Sequence, residues 1–239
     1  MNDKEVGTYW ERNAPAWTAL ARAGYDLWRD VLNTPAFLEM LPPVEGLSGL
    51  DVGCGEGANT RTLAKRGAKL TAIDIAPAFV EAAVDAERRE PLGIEYMVAS
   101  AGSLPFANGA FDFATAFMSL MDVPGYAAAL HEVNRVLRAG GFFQFSILHP
   151  CFFPPNRALI ADDEGRTTAV QLRGYFERAE FVEQWTFGAA PPEERAKWPL
   201  FTVPSFHRTL GDYLNTMLDA GFAIERVGEP CPSDEVLRE

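Results

Sequence analysis

Glycines on alternate positions, followed by a carboxylate, are the residues whose spacing points most directly to chemistry in this chain. The apolar run 50–52 ends in Gly53, Gly55 and Gly57, and the next apolar run ends at Asp74. Glycine lets the backbone turn sharply and approach a ligand without an intervening side chain. A carboxylate at the tip of the following strand can accept hydrogen bonds from both ribose hydroxyls. The pattern therefore predicts a site for an adenosine-containing small molecule.

Two histidines are candidates for further roles at this site. His149 follows a predicted strand and precedes Pro150, so it faces the predicted cleft and is the candidate general base. The alternative is a histidine that fixes the loop through backbone groups. If His149 is the base, His149→Ala lowers turnover without weakening cofactor binding. His207 precedes a predicted helix at 210–220, and it either contacts the substrate or caps that helix.

Strand-like and helix-like segments alternate regularly around these residues. This alternation predicts an α/β fold with a doubly wound, mainly parallel sheet and helices on both faces. Ligands of such sheets bind outside the carboxyl ends of the strands, where the glycines, Asp74 and His149 all fall. Gly140 and Gly141 are expected to end the last of these helices. The predicted strands are 46–52, 69–73, 94–99, 111–118 and 142–148, and the helices are 58–66, 77–89 and 124–139.

Composition narrows the classes of protein and partner. A chain of 239 residues fits one large domain or a core with a cap. The net charge of −12 argues against a nucleic-acid partner. Cys54, Cys151 and Cys231 are too widely spaced for a zinc site or a disulfide framework. We therefore expect a cytoplasmic monomer or homodimer with no metal and no membrane partner.

The order of the motifs resembles the class I S-adenosylmethionine-dependent methyltransferases of the small-molecule, type 11 group. The resemblance covers about residues 44–148. It implies a Rossmann-like fold that transfers a methyl group from S-adenosyl-L-methionine to oxygen or nitrogen of a small-molecule acceptor, leaving S-adenosyl-L-homocysteine. The matching segments are Leu50-Asp51-Val52-Gly53-Cys54-Gly55-Glu56-Gly57, Ala72-Ile73-Asp74-Ile75, Ser103-Leu104-Pro105-Phe106, Phe111-Asp112 and Glu132-Val133-Asn134-Arg135-Val136-Leu137-Arg138-Ala139-Gly140-Gly141.

The resemblance also implies roles for individual residues. Gly53 and Gly55 would approach the methionine part of the cofactor, and Asp51 would help to hold its ammonium group. Asp74 would bind the ribose hydroxyls, and Ile75 would pack on the adenine. Many relatives have an Asp after the third strand that accepts a hydrogen bond from the adenine amino group, where this chain has a serine. The implied cofactor-binding residues are Asp51, Gly53, Cys54, Gly55, Asp74, Ile75, Ser100, Ala101 and Met118.

Two other functions are compatible with the glycine motif. Residues 53–58 also fit the dinucleotide pattern G-x-G-x-x-A, which would make the protein an NAD-dependent oxidoreductase. Some 45 residues precede the first predicted strand, however, and Glu56 would repel a pyrophosphate. No Tyr-x-x-x-Lys pair is present. The second alternative is a non-catalytic nucleoside-ligand-binding protein of the same fold.

The two flanks are expected to build the acceptor site. The N-terminal flank predicts two helices, with a turn and a helix start at 33–35 between them. The resemblance implies that this flank folds over the cofactor as a lid. The flank between the fifth strand and the last helix contains ten aromatic residues and predicts a cap with a strand near 181–187. Aromatic walls suit a flat or apolar acceptor, a small core within the cap, or a dimer contact. The candidate substrate-binding residues of the flanks are Tyr9, Trp17, Tyr25 and His207.

One structural domain with four parts is the predicted organisation: a lid at 1–43, a core at 44–148, a cap at 149–208 and a C-terminal helix and strand at 209–239. A sixth strand is expected at 221–227. The family usually adds one more, antiparallel strand, which does not follow here. Either the segment 181–187 replaces that strand or the natural chain continues beyond Glu239.

Overall fold

A five-stranded parallel sheet forms the centre of the computed structural model, which describes residues 1–232. Its strand order is β3-β2-β1-β4-β5, so the order reverses between β1 and β4. In such folds ligands bind in the crevice at that reversal. The doubly wound sheet is therefore confirmed. The strands are β1 (Ser48–Val52), β2 (Lys69–Asp74), β3 (Glu95–Val98), β4 (Phe111–Phe117) and β5 (Leu137–Ser146).

Helices cover both faces of the sheet. Side chains alternate between the faces along a strand, and Leu50 and Val52 pack against α5 and α7 on one side. Leu70 and Phe113 pack on the other side, against α2 and α3. In residues 1–232 the helices are α1 (Asp3–Arg22), α2 (Thr34–Met40), α3 (Ala58–Lys65), α4 (Pro77–Arg89), α5 (Tyr126–Val136), α6 (Pro192–Arg195) and α7 (Leu210–Asp219), and none is long and apolar enough to cross a bilayer.

The glycine pair Gly140–Gly141 lies within β5 and has a different role from the one expected. The helix α5 ends at Val136, and residues 137–146 form β5 directly, with a register shift opposite Phe111–Phe113. A Cβ on Gly141 would lie 2.7 Å from the carbonyl oxygen of Asp112. Gly141 is therefore needed for close strand pairing, and the prediction that these glycines end a helix is wrong.

The helix start predicted at 33–35 is confirmed, but the turn expected there is absent. A π-helical turn at Arg29–Asn33 leads directly into α2, which carries Pro35 in its first turn. Proline is tolerated there because the N–H it lacks would have no helical partner. Pro35 therefore lies in the first turn of α2, as a helix start requires, and the helical segment before it continues without a turn.

The cap consists of two antiparallel strand pairs. Strands β6 (Asn156–Ala161) and β7 (Thr167–Arg173) form one pair, and β8 (Ala179–Trp185) and β9 (Phe201–His207) form the other. Because β8 pairs with β9, it does not complete the central sheet. Residues 221–232 contain no strand, so the prediction of a sixth strand at 221–227 is wrong. The last seven residues of the predicted segment 209–239 lie outside the described residues.

Candidate cofactor and acceptor site

The glycine loop joins β1 to α3 at the carboxyl edge of the sheet. Gly53, Gly55 and Gly57 have φ angles of 76°, 54° and 87°, in the left-handed region that favours glycine. The N–H groups of Gly53 and Cys54 both donate to the carbonyl of Ile73, at 2.8 and 2.9 Å. A Cβ on Gly55 would meet no protein atom within 4 Å. The loop is thus tied to β2 on one side and open to the cavity on the other.

Asp74 holds the loop against the tip of β2. Its Oδ2 accepts a hydrogen bond from the Gly55 N–H at 2.9 Å, and its Oδ1 accepts one from the Ala76 N–H at 2.9 Å. Each carboxylate oxygen has a second lone pair, so Asp74 retains the capacity to accept two ribose hydroxyls. Burial raises the pKa of Asp74 to about 6.

A second buried carboxylate, Asp51, lies beneath the loop. The hydroxyls of Thr60 and Thr115 donate to its two oxygens at 2.6 and 2.9 Å. Burial, together with the nearby charge of Asp74, raises the pKa of Asp51 to about 6, although both hydroxyl contacts lower it. Two neighbouring buried carboxylates favour a ligand that carries positive charge. The donor and acceptor groups around the loop therefore fit a sulfonium cofactor with an ammonium group.

The site after β3 contains a carboxylate that the sequence pattern did not reveal. The Ser100 hydroxyl donates to Asp3 of α1, and the Gly102 N–H donates to the Ser100 oxygen at 3.1 Å. Both Asp3 and Ser100 line the same cavity as the glycine loop. The N-terminal helix thus places a carboxylate beside Ser100, the serine that stands where the family resemblance leads to the expectation of an aspartate.

A cavity of about 2330 Å³ extends from the glycine loop to the cap. Small-molecule sites usually occupy roughly 300–1,000 Å³, so this cavity has room for a cofactor and an acceptor. All nine residues predicted to bind the cofactor line it, and so do four of the five candidate substrate or catalytic residues, namely Trp17, Tyr25, His149 and His207.

Tyr9 is the exception, because it does not line the cavity. On α1 the lining residues are Asp3, Val6, Trp10 and Trp17. These positions follow the helical spacing of three and four, whereas Tyr9 lies about 100° away from Trp10 around the helix axis. The structure thus does not bring Tyr9 to the cavity, and the neighbouring Trp10 lines it instead.

His149 lies at the edge of the cavity with both ring nitrogens in contact with protein groups. Its Nδ1 accepts a hydrogen bond from the Cys151 N–H at 3.2 Å, and its Nε2 lies 2.9 Å from Glu229 Oε1. The ring caps the 3₁₀ turn Pro150–Phe152. These contacts favour the alternative in which His149 fixes the loop.

His207 is buried at the end of β9. Its Nε2 lies 2.8 Å from the Tyr175 carbonyl oxygen, so that nitrogen donates. The cap of α7 is Thr209, whose hydroxyl accepts from the Asp212 N–H at 3.0 Å. His207 therefore does not cap the helix, and its ring also borders the cavity.

Asp122 is a further carboxylate of the cavity that the sequence analysis missed. It ends the 3₁₀ turn Leu120–Asp122 after β4 and is 9% exposed. Within residues 1–232 its carboxylate forms no hydrogen bond or ion pair. Burial raises its pKa well above the usual value, and Glu183 adds to the shift, whereas Arg208 opposes it. A buried carboxylate without a partner, open to the cavity, is suited to accept a proton from a ligand.

Aromatic rings form the wall between lid and cap. Trp17 of α1 lies 5.4 Å from Trp185, 5.0 Å from Phe187 and 4.9 Å from Phe201, measured between ring centroids. These distances are typical of favourable edge and tilted ring contacts. Trp17 therefore packs the lid onto the cap and at the same time lines the cavity.

Glu56 does not present an unbalanced negative charge at the loop. It is 7% exposed, and its two oxygens contact Arg22 at 3.2 Å and Arg29 at 3.3 Å. Both arginines belong to the N-terminal segment, so these ion pairs fasten the lid to the loop. The two arginines therefore weaken the expected repulsion between Glu56 and a pyrophosphate. Glu56 consequently does not distinguish a site for S-adenosylmethionine from a site for NAD.

Known proteins share this architecture. A family model described as a methyltransferase domain matches residues 50–145. The crystal structure of an S-adenosylmethionine-dependent methyltransferase from Mesorhizobium loti superposes with a TM-score of 0.68 at 30% sequence identity, and the match covers 85% of this chain and 87% of that one.

Two curated sequence relatives match less than half of this chain. A sterol 4-C-methyltransferase of Caenorhabditis elegans is 37% identical over 109 residues, which are 44% of this chain and 32% of the relative. A demethylmenaquinone methyltransferase of Tropheryma whipplei is 37% identical over 106 residues, 44% of each chain. This chain thus spans less than half the length of these two relatives. The near-complete match to the solved structure, with the glycine loop and Asp74 in place, shows that the chain belongs to the S-adenosylmethionine-dependent methyltransferases.

Proposed function

We propose that this protein transfers the methyl group of S-adenosyl-L-methionine to an oxygen or nitrogen of a small, largely apolar acceptor. The observation that carries the proposal is the open backbone at Gly55, between the Asp74 carboxylate and the cavity. A side-chain-free loop beside a buried carboxylate pair suits a cofactor with a ribose and a positive charge. The cavity beyond it has room for the acceptor.

Methyl transfer from S-adenosyl-L-methionine needs few catalytic side chains. The sulfonium of the cofactor supplies a methyl group that is already activated for displacement. The chain's residues then have to hold the nucleophile in line and keep water out. Helix α1 covers the loop through the ion pairs of Arg22 and Glu56, and Trp17 seals the lid against the cap.

The walls of the cavity favour a flat, apolar acceptor. Trp17 of α1 lines the cavity together with Phe187 and other aromatic rings of the cap. Such walls bind a ligand through the apolar surface that is buried between them, and a few polar groups set the ligand's orientation. The names of the two curated relatives, a sterol 4-C-methyltransferase and a demethylmenaquinone methyltransferase, refer to ring compounds and so agree with this class. The sterol enzyme's name refers to carbon, so carbon acceptors belong in the test.

A hydroxyl or amine acceptor must lose a proton during transfer. Asp122 is the group best suited to accept it, because its carboxylate is buried and unpartnered within residues 1–232. His149, by contrast, uses both nitrogens in contacts with Cys151 and Glu229. An acceptor that is already ionised would need neither residue.

Calorimetry tests the cofactor, and a methylation screen tests the reaction. We expect S-adenosyl-L-methionine and S-adenosyl-L-homocysteine to bind to the wild-type protein and NAD⁺ not to bind. Asp74→Asn should weaken both sulfur ligands, because one acceptor oxygen is replaced by an amide. Mass spectrometry of phenols, quinols, sterols and aromatic amines incubated with the cofactor then identifies the methylated atom. Tight NAD⁺ binding, or no affinity for either sulfur ligand, would contradict the proposal.

A further inference from the structure

The N-terminal helix brings a carboxylate to the part of the cavity next to β3. Asp3 is the first residue of α1, and Asn2 and Glu5 fix the start of this helix through a capping box. The Asp3 carboxylate accepts the Ser100 hydroxyl through Oδ2. Within residues 1–232 no other hydrogen bond uses the Asp3 carboxylate, so Oδ1 is available to a ligand.

The strand order places this carboxylate beyond the ribose position. Strand β2 lies between β1, which leads into the glycine loop, and β3, which leads to Ser100. Asp74 pairs with Val98 across β2 and β3, and Ser100 follows Val98 by two residues. Neighbouring strands are about 4.8 Å apart. A ribose held by Asp74, with the methionine part over the loop on the β1 side, therefore directs its base towards Ser100 and Asp3.

Hydrogen-bond chemistry decides which of the two residues can recognise the base. The Ser100 hydroxyl uses its proton on Asp3, and its oxygen already accepts from the Gly102 N–H at 3.1 Å. The free oxygen of Asp3 is an acceptor that carries negative charge. It suits an exocyclic amino group, which is a donor, and disfavours a carbonyl oxygen in the same place.

We propose that Asp3 is the specificity residue that accepts the 6-amino group of the adenine, with Ser100 as the residue that positions it. The inference rests on the proposed function, because it needs the adenosine cofactor in this cavity. It also links cofactor recognition to the docking of the lid, since Asp3 is held in place by α1. That helix is anchored by Glu11, which accepts the Ala78 N–H at 2.8 Å, and by Asn13, which exchanges hydrogen bonds with Thr202 at 2.9 Å.

Two ligands that differ only at position 6 of the purine test the inference. S-adenosylhomocysteine carries an amino group there, and S-inosylhomocysteine carries an oxo group. Hydrogen bonds to charged groups are typically worth enough for about a 10- to 100-fold change in affinity. We expect wild-type protein to prefer the amino ligand by about that factor. In Asp3→Asn the preference should fall below about threefold, because an amide can present either an acceptor or a donor.

Two further variants serve as controls. Glu5→Gln removes the same charge from the same helical turn and keeps the cap, so its preference should equal that of the wild type. Ser100→Ala should weaken binding by a few-fold and retain the preference, because the carboxylate remains. Thermal unfolding of each variant shows that the fold is intact.

The outcomes separate this inference from the proposed function. Binding of neither ligand to the wild type would overturn both. If the wild type binds S-adenosylhomocysteine but does not discriminate, or if Asp3→Asn discriminates as well as the wild type, only the role of Asp3 is overturned. Loss of the preference in Ser100→Ala alone would transfer that role to the serine.

Discussion

Gly53 packs so closely against Ser119 that a Cβ added to Gly53 would lie 2.4 Å from the Ser119 Cβ. The Ser119 hydroxyl donates to the Val52 carbonyl at 2.7 Å, so the segment after β4 supports the glycine loop from below. Gly55, two residues further on, would place a Cβ in open space. The same residue type therefore serves packing at one position and ligand access at the other.

This difference predicts opposite phenotypes for two alanine variants. Gly53→Ala should lower the free energy of unfolding by roughly 2–5 kcal/mol, from the left-handed φ and the clash together. Gly55→Ala should cost only about 1–2 kcal/mol of stability but weaken S-adenosylhomocysteine binding by about tenfold or more, because the methyl group occupies ligand space. Chemical denaturation and calorimetry measure the two effects. Equal losses of stability in the two variants would contradict the assignment of Gly53 to packing and Gly55 to ligand access.

The two buried carboxylates predict how cofactor affinity depends on pH. Asp51 and Asp74 have pKa values raised to about 6 in the free protein, above the ordinary 3.8. A positively charged ligand and its hydroxyl donors favour the ionised forms, so binding lowers both pKa values and releases protons. Affinity should thus be maximal above pH 6 and should fall below it, by up to about tenfold per pH unit for each carboxylate.

Calorimetry between pH 5 and pH 7.5, in buffers of different ionisation enthalpy, measures both the affinity and the proton release. Asp74→Asn provides the control, because it removes one of the two titrating groups and should flatten the profile. A profile that is flat from pH 5 to pH 7.5 in the wild type would show that neither carboxylate is linked to binding.

Asp122 and His149 predict a contrast in turnover. Asp122→Asn should reduce kcat for a hydroxyl or amine acceptor by about 100-fold or more, the usual range for a lost general base, with S-adenosylhomocysteine affinity unchanged. His149→Ala should change kcat much less, because its ring holds the turn Pro150–Phe152 through the Cys151 N–H. Steady-state kinetics with an acceptor from the screen makes the comparison. A larger loss in His149→Ala would restore the histidine as the base.

Two tyrosines, Tyr96 and Tyr126, predict stability changes of opposite sign when each is replaced by phenylalanine. The buried Tyr96 Oη has no hydrogen-bond partner within residues 1–232, whereas the Tyr126 Oη donates to the Tyr213 carbonyl at 3.1 Å. Tyr96→Phe removes an unsatisfied polar atom and should raise the free energy of unfolding by about 1 kcal/mol, and Tyr126→Phe should lower it by about 1 kcal/mol. Denaturant titration of both variants measures these changes in the free energy of unfolding. Destabilisation by Tyr96→Phe would indicate a partner for its hydroxyl.

Local signals made most of the sheet predictable. Helix α4 has the predicted bounds 77–89, because Pro77 marks its first turn and its apolar residues recur at helical spacing. The prediction for Gly140 and Gly141 was wrong because glycine is favoured both just after a helix end and where two strands approach closely. Only the partner strand, with the Asp112 carbonyl 2.7 Å from a would-be Cβ of Gly141, distinguishes the two.

By itself, the sequence determined the α/β sheet, the glycine loop and Asp74, because each depends on short-range spacing that every chain of this pattern must satisfy. Tertiary structure alone decided which distant side chains meet: Asp3 reaches Ser100 across 97 positions, and Arg22 reaches Glu56 across 34. Such contacts depend on how the N-terminal helix docks and leave no periodic trace in the chain. For the same reason the unpartnered Asp122 became a candidate only once burial was known.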